Sequence, residues 1–136
     1  MAGGVGARFW PLSRTARPKQ FIDILGTGET LIQQTFRRLA SIRPAENIYI
    51  VTHENYKALV LEQLPAISEQ QILCEPVRRN TAPCIAYATN KIAAVNPAAS
   101  VIVSPCDHII LNEDQFRETL FSALEAATNN DWLLRL

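Results

Sequence analysis

The chain has 136 residues, 48% of them apolar and 19% charged, and its formal net charge is zero. Balanced charge argues against a basic surface for nucleic acid, and no apolar run is long enough to cross a bilayer. Three cysteines without a C-x-x-C pair argue against a disulfide framework or zinc site and favour the reducing cytoplasm. We therefore expect one modest globular domain that binds neither nucleic acid nor membrane.

Glycine and basic residues are concentrated in the first twenty-one positions. Gly3, Gly4 and Gly6 fall within four residues, and glycine lets a backbone turn sharply and approach a ligand closely. Before the first acidic residue, Asp23, the cations are Arg8, Arg14, Arg17 and Lys19. Converging loop amides beside arginine and lysine suit a polyphosphate. The glycines alone would fit a solvated basic loop equally well.

Two familiar phosphate loops do not fit this stretch. The P-loop pattern is absent, and Phe9 occupies the third glycine position of the dinucleotide pattern. Pro11 would also break a helix that began at Ala7. We therefore expect loop amides and side chains to hold the phosphates, and a dinucleotide-dependent oxidoreductase is disfavoured.

The middle of the chain predicts one helix, then a strand and another helix. Thr30 is a candidate N-cap for an amphipathic helix that ends before Pro44, with Arg37 and Arg38 facing water. The apolar run 48–52 predicts a parallel strand buried on both faces, followed by a helix over 55–64. Between them, His53 is expected to serve as a turn or cap residue.

A second strand is predicted over 71–74, and a polar segment follows it. Asn80 or Thr81 is a good N-cap for a helix running to about Val95. The amide groups at such a helix start can also meet an anion. Spacing alone favours a capping role.

The run 99–104 predicts another buried strand, which Pro105 ends. Asp107 then lies at the carboxyl end of that strand, where open parallel sheets bind ligands. Its carboxylate suits Mg²⁺, although an aspartate that caps a turn fits the spacing too. Cys106 beside it is expected to be a small apolar filler.

The final predicted helix starts at a capping box formed by Asn112 and Gln115. Its expected buried stripe consists of Phe116, Leu120, Phe121 and Leu124. The alternation of strands and helices predicts an α/β fold with a parallel sheet.

Three separated motifs carry a more specific resemblance. Residues 3–21 (GGVGARFWPLSRTARPKQF), 75–83 (EPVRRNTAP) and 104–108 (SPCDH) resemble the nucleotide-sugar pyrophosphorylases, in the form found in bacterial mannose-1-phosphate guanylyltransferases. The family usually has threonine or serine at Ala7 and alanine at Cys106. The resemblance implies a Rossmann-like, mostly parallel sheet of the glycosyltransferase-A-like nucleotidyltransferase type, here incomplete.

The resemblance also implies a domain organisation. Residues 1–136 would form the N-terminal nucleotide-binding half of a nucleotidyltransferase domain, without its first strand and its C-terminal sugar-binding half. This chain alone is then expected to be inactive, and the full-length protein could form a homo-oligomer.

The implied reaction is nucleotidyl transfer from GTP to mannose 1-phosphate with Mg²⁺, giving GDP-mannose and pyrophosphate. The implied site residues are catalytic Arg8 and Lys19, nucleotide-binding Ala2, Gly3, Gly4, Gly6, Glu75, Asn80 and Thr81, and metal-binding Asp107. Two alternatives stay open: another sugar-1-phosphate nucleotidyltransferase, and a catalytically inactive nucleotide-binding fragment, which Ala7 favours.

Overall fold

The computed structural model describes residues 1–2, 10–75, 81–130 and 132–134. In these ranges the helices are α1 (Leu31–Ala40), α2 (Lys57–Gln63), α3 (Thr81–Val95) and α4 (Glu113–Asn129), and the strands are β1 (Ile50–His53) and β2 (Ile72–Glu75). Short 3₁₀ turns join several of them. No helix in the described ranges is both long and apolar enough to cross a membrane.

The strands β1 and β2 are parallel neighbours. Their register runs from Ile50 opposite Ile72 to His53 opposite Glu75, with α2 in the connection between them. Both strands therefore end at one edge of the sheet, which we call the carboxyl edge. The predictions of strands over 48–52 and 71–74 are confirmed, with small shifts in their bounds.

Side chains mark the starts of several elements as the sequence predicted. The Thr30 N–H donates to Gln33 Oε1 at 2.9 Å before α1, and the Gln115 N–H donates to Asn112 Oδ1 at 3.1 Å in α4. His53 has a capping role as well, because its Nδ1 accepts from the Asn55 N–H at 3.2 Å. These bonds satisfy backbone groups that a helix start leaves unpaired.

The strand predicted over 99–104 is not formed. The structure assigns no strand there, and within the described ranges no backbone hydrogen bond involves residues 101–103. Immediately after them, the Met1 ammonium donates to the Ser104 carbonyl at 2.8 Å and the Cys106 N–H donates to the Met1 carbonyl at 3.2 Å. In the part of the chain that the structure describes, residues 101–103 therefore have no paired neighbour, and the N-terminus lies beside the end of the run at Ser104.

Two predictions about helix faces are wrong. Arg38 does not face water: it is 4% exposed, and its guanidinium lies 5.6 Å from the centre of the Phe116 ring. Arg37 is exposed as predicted. In α4, Leu120 is buried, but Phe121 is 43% exposed, so the predicted stripe is only partly covered.

The hydrophobic core draws on β1, β2, α1, α2 and the segments that join them. Its buried members are Ala2, Phe21, Ile32, Ile48, Ile50, Tyr56, Val60, Leu64, Ile67, Ile72 and Cys106. Ala2 and Phe21 belong to the two ends of the basic N-terminal region, so the core fixes both ends of that region against β1.

Candidate active site

The residues that lead into the glycines lie at the carboxyl edge of the sheet. The Ala2 N–H donates to the Val51 carbonyl at 2.8 Å, and Ala2 is 1% exposed. The predicted ligands Gly3, Gly4, Gly6 and Arg8 lie outside the described residues. Ala2 is thus the described member of this loop, and β1 fixes where the loop starts.

The Ala2 carbonyl is held by two buried side chains. Gln20 Nε2 donates to it at 2.8 Å and Thr52 Oγ1 at 3.1 Å. A buried carbonyl needs such partners, because leaving it unpaired costs free energy. Sequence reasoning missed Gln20, although it lies inside the motif PKQF.

Lys19 and Asp107, predicted to be a catalytic and a metal-binding residue, meet in the structure. Lys19 begins the 3₁₀ turn Lys19–Phe21, which follows the buried Pro18. Its ammonium donates to the Asp107 carboxylate, and both side chains are half-buried. Burial alone would raise the pKa of Asp107, but the hydrogen bond and charge of Lys19 outweigh it and lower that pKa below its usual value.

The Asp107 carboxylate is a ligand group that suits a divalent cation. In the described ranges no three His, Cys, Asp or Glu residues form a metal-binding cluster. Magnesium is commonly held by one or two carboxylates together with substrate phosphates, so a single hard carboxylate fits that mode of binding. The same carboxylate currently neutralises Lys19.

The second predicted nucleotide-binding segment is described only at its ends. Glu75 ends β2, opposite His53, and is 9% exposed. Burial, and then the charge of Glu75, raise the pKa of the Cys84 thiol on α3. Thr81 is the exposed first residue of α3, and Asn80 lies outside the described residues. Their nucleotide contacts stay a prediction.

Polar side chains on α2 and its preceding turn hold the basic region in place. Gln63 Nε2 donates to the Phe21 carbonyl at 3.2 Å, and the Tyr56 hydroxyl donates to the Thr15 carbonyl at 3.0 Å. Sequence reasoning missed Gln63, because a glutamine on a helix is usually solvent-exposed. These bonds hold the chain on both sides of Lys19 and so fix the position of that residue.

Arg38 supports the other side of the site. It donates to the carbonyl of His108, next to Asp107, at 3.4 Å, and its guanidinium lies 3.6 Å from the Glu113 carboxylate. The buried guanidinium thus links α1 and α4 to the turn that carries Asp107. No periodicity argument distinguishes such an arginine from an exposed one.

Comparison with known proteins gives the family. Residues 1–134 match the nucleotidyl transferase family. The chain is 38% identical over 136 residues to the alginate biosynthesis protein AlgA of Pseudomonas aeruginosa, covering 98% of this chain and 28% of that protein. It is 40% identical over 129 residues to a mannose-1-phosphate guanylyltransferase of Salmonella montevideo, covering 93% and 26%.

A mannose-1-phosphate guanylyltransferase of Escherichia coli is 37% identical over 131 residues, covering 93% of this chain and 27% of that protein. The chain therefore spans roughly a quarter of the length of these curated relatives. Its match to the family nevertheless covers nearly every residue, including both partners of the Lys19–Asp107 pair. The chain belongs to the nucleotidyl transferase family.

Proposed function

We propose that this chain provides the nucleotide-binding part of an enzyme that transfers a guanylyl group from GTP to mannose 1-phosphate. The observation that carries the proposal is the pairing of Lys19 with Asp107 at the carboxyl edge, beside the start of the glycine segment. Two of the relatives above are named mannose-1-phosphate guanylyltransferases, which supports guanine and mannose over other bases and sugars.

In the proposed reaction, a phosphate oxygen of mannose 1-phosphate attacks the α-phosphorus of GTP. The bond between that phosphorus and the oxygen bridging to the β-phosphate breaks, and pyrophosphate leaves with the electron pair. GDP-mannose and pyrophosphate are the products. Two anions must approach each other, so catalysis depends on positioning and on neutralising charge.

Each proposed residue supplies one of these needs. The amides of Gly3, Gly4 and Gly6 wrap the phosphates, and the Arg8 guanidinium holds the pyrophosphate leaving group. The Lys19 ammonium stabilises charge around the α-phosphate. Nucleotide phosphate oxygens then compete with the Asp107 carboxylate for Lys19.

A divalent metal is general among nucleotidyl transferases of this kind, and we assign Asp107 as the residue that holds it, as Mg²⁺. When bound, Mg²⁺ supplies positive charge to the nucleotide phosphate oxygens. Glu75 and Thr81 are assigned to the base and ribose, because Glu75 ends β2 and Thr81 begins α3. Asn80, which precedes Thr81 in the sequence and lies outside the described residues, is assigned with them.

Calorimetric titration with GTP and Mg²⁺ tests this assignment, with ATP as the competing nucleotide. We expect saturable GTP binding and at least tenfold weaker ATP binding. Lys19→Ala and Arg8→Ala should each weaken GTP binding about tenfold, because a charged hydrogen bond contributes about 1.5–3 kcal/mol. Lys91→Ala, which removes an exposed lysine from α3, serves as the matched control. Binding that ignores Lys19 and Arg8 but not Lys91 would contradict the proposal.

A further inference from the structure

Lys19 and Gln20 are neighbours in one 3₁₀ turn, and their side chains have different partners. Lys19 begins the turn, which runs to Phe21, and its ammonium donates to the Asp107 carboxylate. Gln20 is 1% exposed, and its Nε2 donates to the Ala2 carbonyl at 2.8 Å. The turn therefore joins Ala2, where the glycine segment starts, to the lysine that we assign to the α-phosphate.

Two elements of the fold hold the Ala2 carbonyl. Thr52 on β1 is fully buried, and its Oγ1 donates to the same oxygen as Gln20 does, at 3.1 Å. The strand β1 also holds the other side of Ala2, because the Ala2 N–H donates to the Val51 carbonyl at 2.8 Å. Without the Gln20 amide, Ala2 would therefore remain bonded to β1, but its bond to the turn that carries Lys19 would be lost.

The far end of the turn is bonded to α2. Gln63 Nε2 donates to the Phe21 carbonyl at 3.2 Å, and the buried Phe21 ring lies 5.9 Å from the Tyr56 ring, measured between their centres. Adjacent Cα atoms are about 3.8 Å apart, so a shift of Gln20 moves Lys19 with it. Gln20 is thus a link between a turn that α2 holds and a segment start that β1 holds.

We propose that Gln20 is a positioning residue for nucleotide binding, which fixes the start of the glycine segment and the Lys19 ammonium relative to each other. This role rests on the proposed function, since that function supplies the polyphosphate ligand. Gln20 acts through Ala2 and Lys19, and its amide stays in the core when the nucleotide binds. Groups that bind one polyphosphate must match the spacing of its oxygens, and a misplacement of about 1 Å can cost about 100-fold in rate.

The first test needs no nucleotide and measures whether Gln20 holds Lys19 against Asp107. Gln20→Met nearly keeps the side-chain volume but removes the donor, and a double-mutant cycle pairs it with Asp107→Asn in urea titrations. We expect Asp107→Asn to change the folding equilibrium constant at least threefold less in the Gln20→Met background than in the parent chain. Thr52→Val removes the other donor to Ala2 and leaves the turn intact. In that background the effect of Asp107→Asn should stay within twofold of its parent value.

The second test measures GTP binding by calorimetric titration with Mg²⁺. We expect Gln20→Met to weaken GTP binding about tenfold and Thr52→Val to weaken it less than about threefold. In a Lys19→Ala background, Gln20→Met should weaken binding by less than about threefold further, because no ammonium is left to position. The matched control is Gln34→Met, the same substitution at a glutamine that bonds to Thr27 at the surface, and it should bind GTP as the parent does.

Additive effects of Gln20→Met and Asp107→Asn on stability would overturn the proposal. Equal losses of GTP affinity in Gln20→Met and Thr52→Val would overturn it too, because Gln20 would then only stabilise the fold. If Gln20→Met does not fold, Gln20→Asn takes its place in both experiments, since it shortens the side chain and withdraws the amide from Ala2. A parent chain that does not bind GTP would contradict the proposed function, whereas the cycle with Asp107→Asn would still decide whether Gln20 positions Lys19.

Discussion

The Lys19 ammonium donates a hydrogen bond to the carboxylate of Asp107, which lies 88 positions later in the chain. The pair joins the basic N-terminal region to the turn that follows residues 101–105. Both residues were predicted to serve nucleotidyl transfer, and in the structure each neutralises the other. The pair therefore places a cation and a hard carboxylate side by side at the carboxyl edge of the sheet.

This pairing predicts a pH dependence of stability. The pKa of Asp107 is lowered in the folded protein, so the unfolded chain binds more protons as the pH falls towards the ordinary value of 3.8. The stabilisation is therefore complete above that value and is lost as the pH falls through the lower, folded pKa. We expect Asp107→Asn to be less stable than the parent protein at about pH 7, and we expect this difference to shrink as the pH falls below the ordinary value of 3.8 in urea titrations. A difference that grows on acidification would contradict the pairing.

Gln20 is predicted to stabilise the start of the glycine segment. Gln20→Ala removes one of the two side-chain donors to the buried Ala2 carbonyl, and we expect a loss of about 1–3 kcal/mol in the free energy of unfolding. The matched control is Gln34→Ala on α1, since Gln34 bonds to Thr27 at the surface. Its loss should stay within about 0.5 kcal/mol. Equal losses of unfolding free energy for both variants in urea titrations would show that the hydrogen bond to Ala2 contributes no more than a surface bond.

Arg38 and Arg37 are neighbours with opposite environments. Arg38→Ala removes a buried guanidinium that bonds to the His108 carbonyl and packs on Phe116, so we expect a loss of about 2–3 kcal/mol. Arg37→Ala removes an exposed side chain paired with Glu29 and Glu113, and surface pairs contribute about 0.2–1 kcal/mol. Thermal denaturation of both variants measures the difference. A larger effect for Arg37 would contradict the burial of Arg38.

Cys106 should be chemically inert in the folded protein. It is 6% exposed, its Sγ donates to the Met1 carbonyl at 2.8 Å, and burial raises the pKa of its thiol from 9.0 to about 11. A shift of that size lowers the thiolate fraction at neutral pH roughly 100-fold. We expect slow labelling of Cys106 by a thiol reagent at about pH 8, measured by peptide mass spectrometry. Fast labelling in denaturant is the control, and fast labelling without it would contradict the packing.

Local sequence patterns predicted four of the helices and strands. The strands β1 and β2 follow from their apolar runs, and α1 and α4 follow from periodicity and their caps. The parallel topology predicted that the ends of β1 and β2 lie at one edge of the sheet. Asp107 was expected at the same edge from a strand over 99–104 that is not formed, and the hydrogen bonds of Met1 to Ser104 and Cys106 hold its turn beside the N-terminus instead.

The rest depended on tertiary partners that no local pattern contains. Residues 99–104 have strand composition, but a strand also needs a paired neighbour, and residues 101–103 lack one within the described ranges. Gln20 and Arg38 sit at positions compatible with exposure, and their burial depends on tertiary contacts such as the Ala2 carbonyl and the Phe116 ring. The resemblance implied roles for Lys19 and Asp107, which stay predictions, but it did not imply their direct contact.

The most direct test of the central claim is to map GTP and Mg²⁺ binding on the isotope-labelled chain by amide chemical shifts. We expect the largest changes in chemical shift to cluster at the carboxyl edge, at Ala2, Lys19, Thr81 and Asp107, and to shrink in Lys19→Ala. Residues in the middle of α4 should serve as an unshifted reference. Changes centred on α4, or saturable GTP binding that leaves Ala2, Lys19 and Asp107 unshifted, would contradict a nucleotide site at this edge.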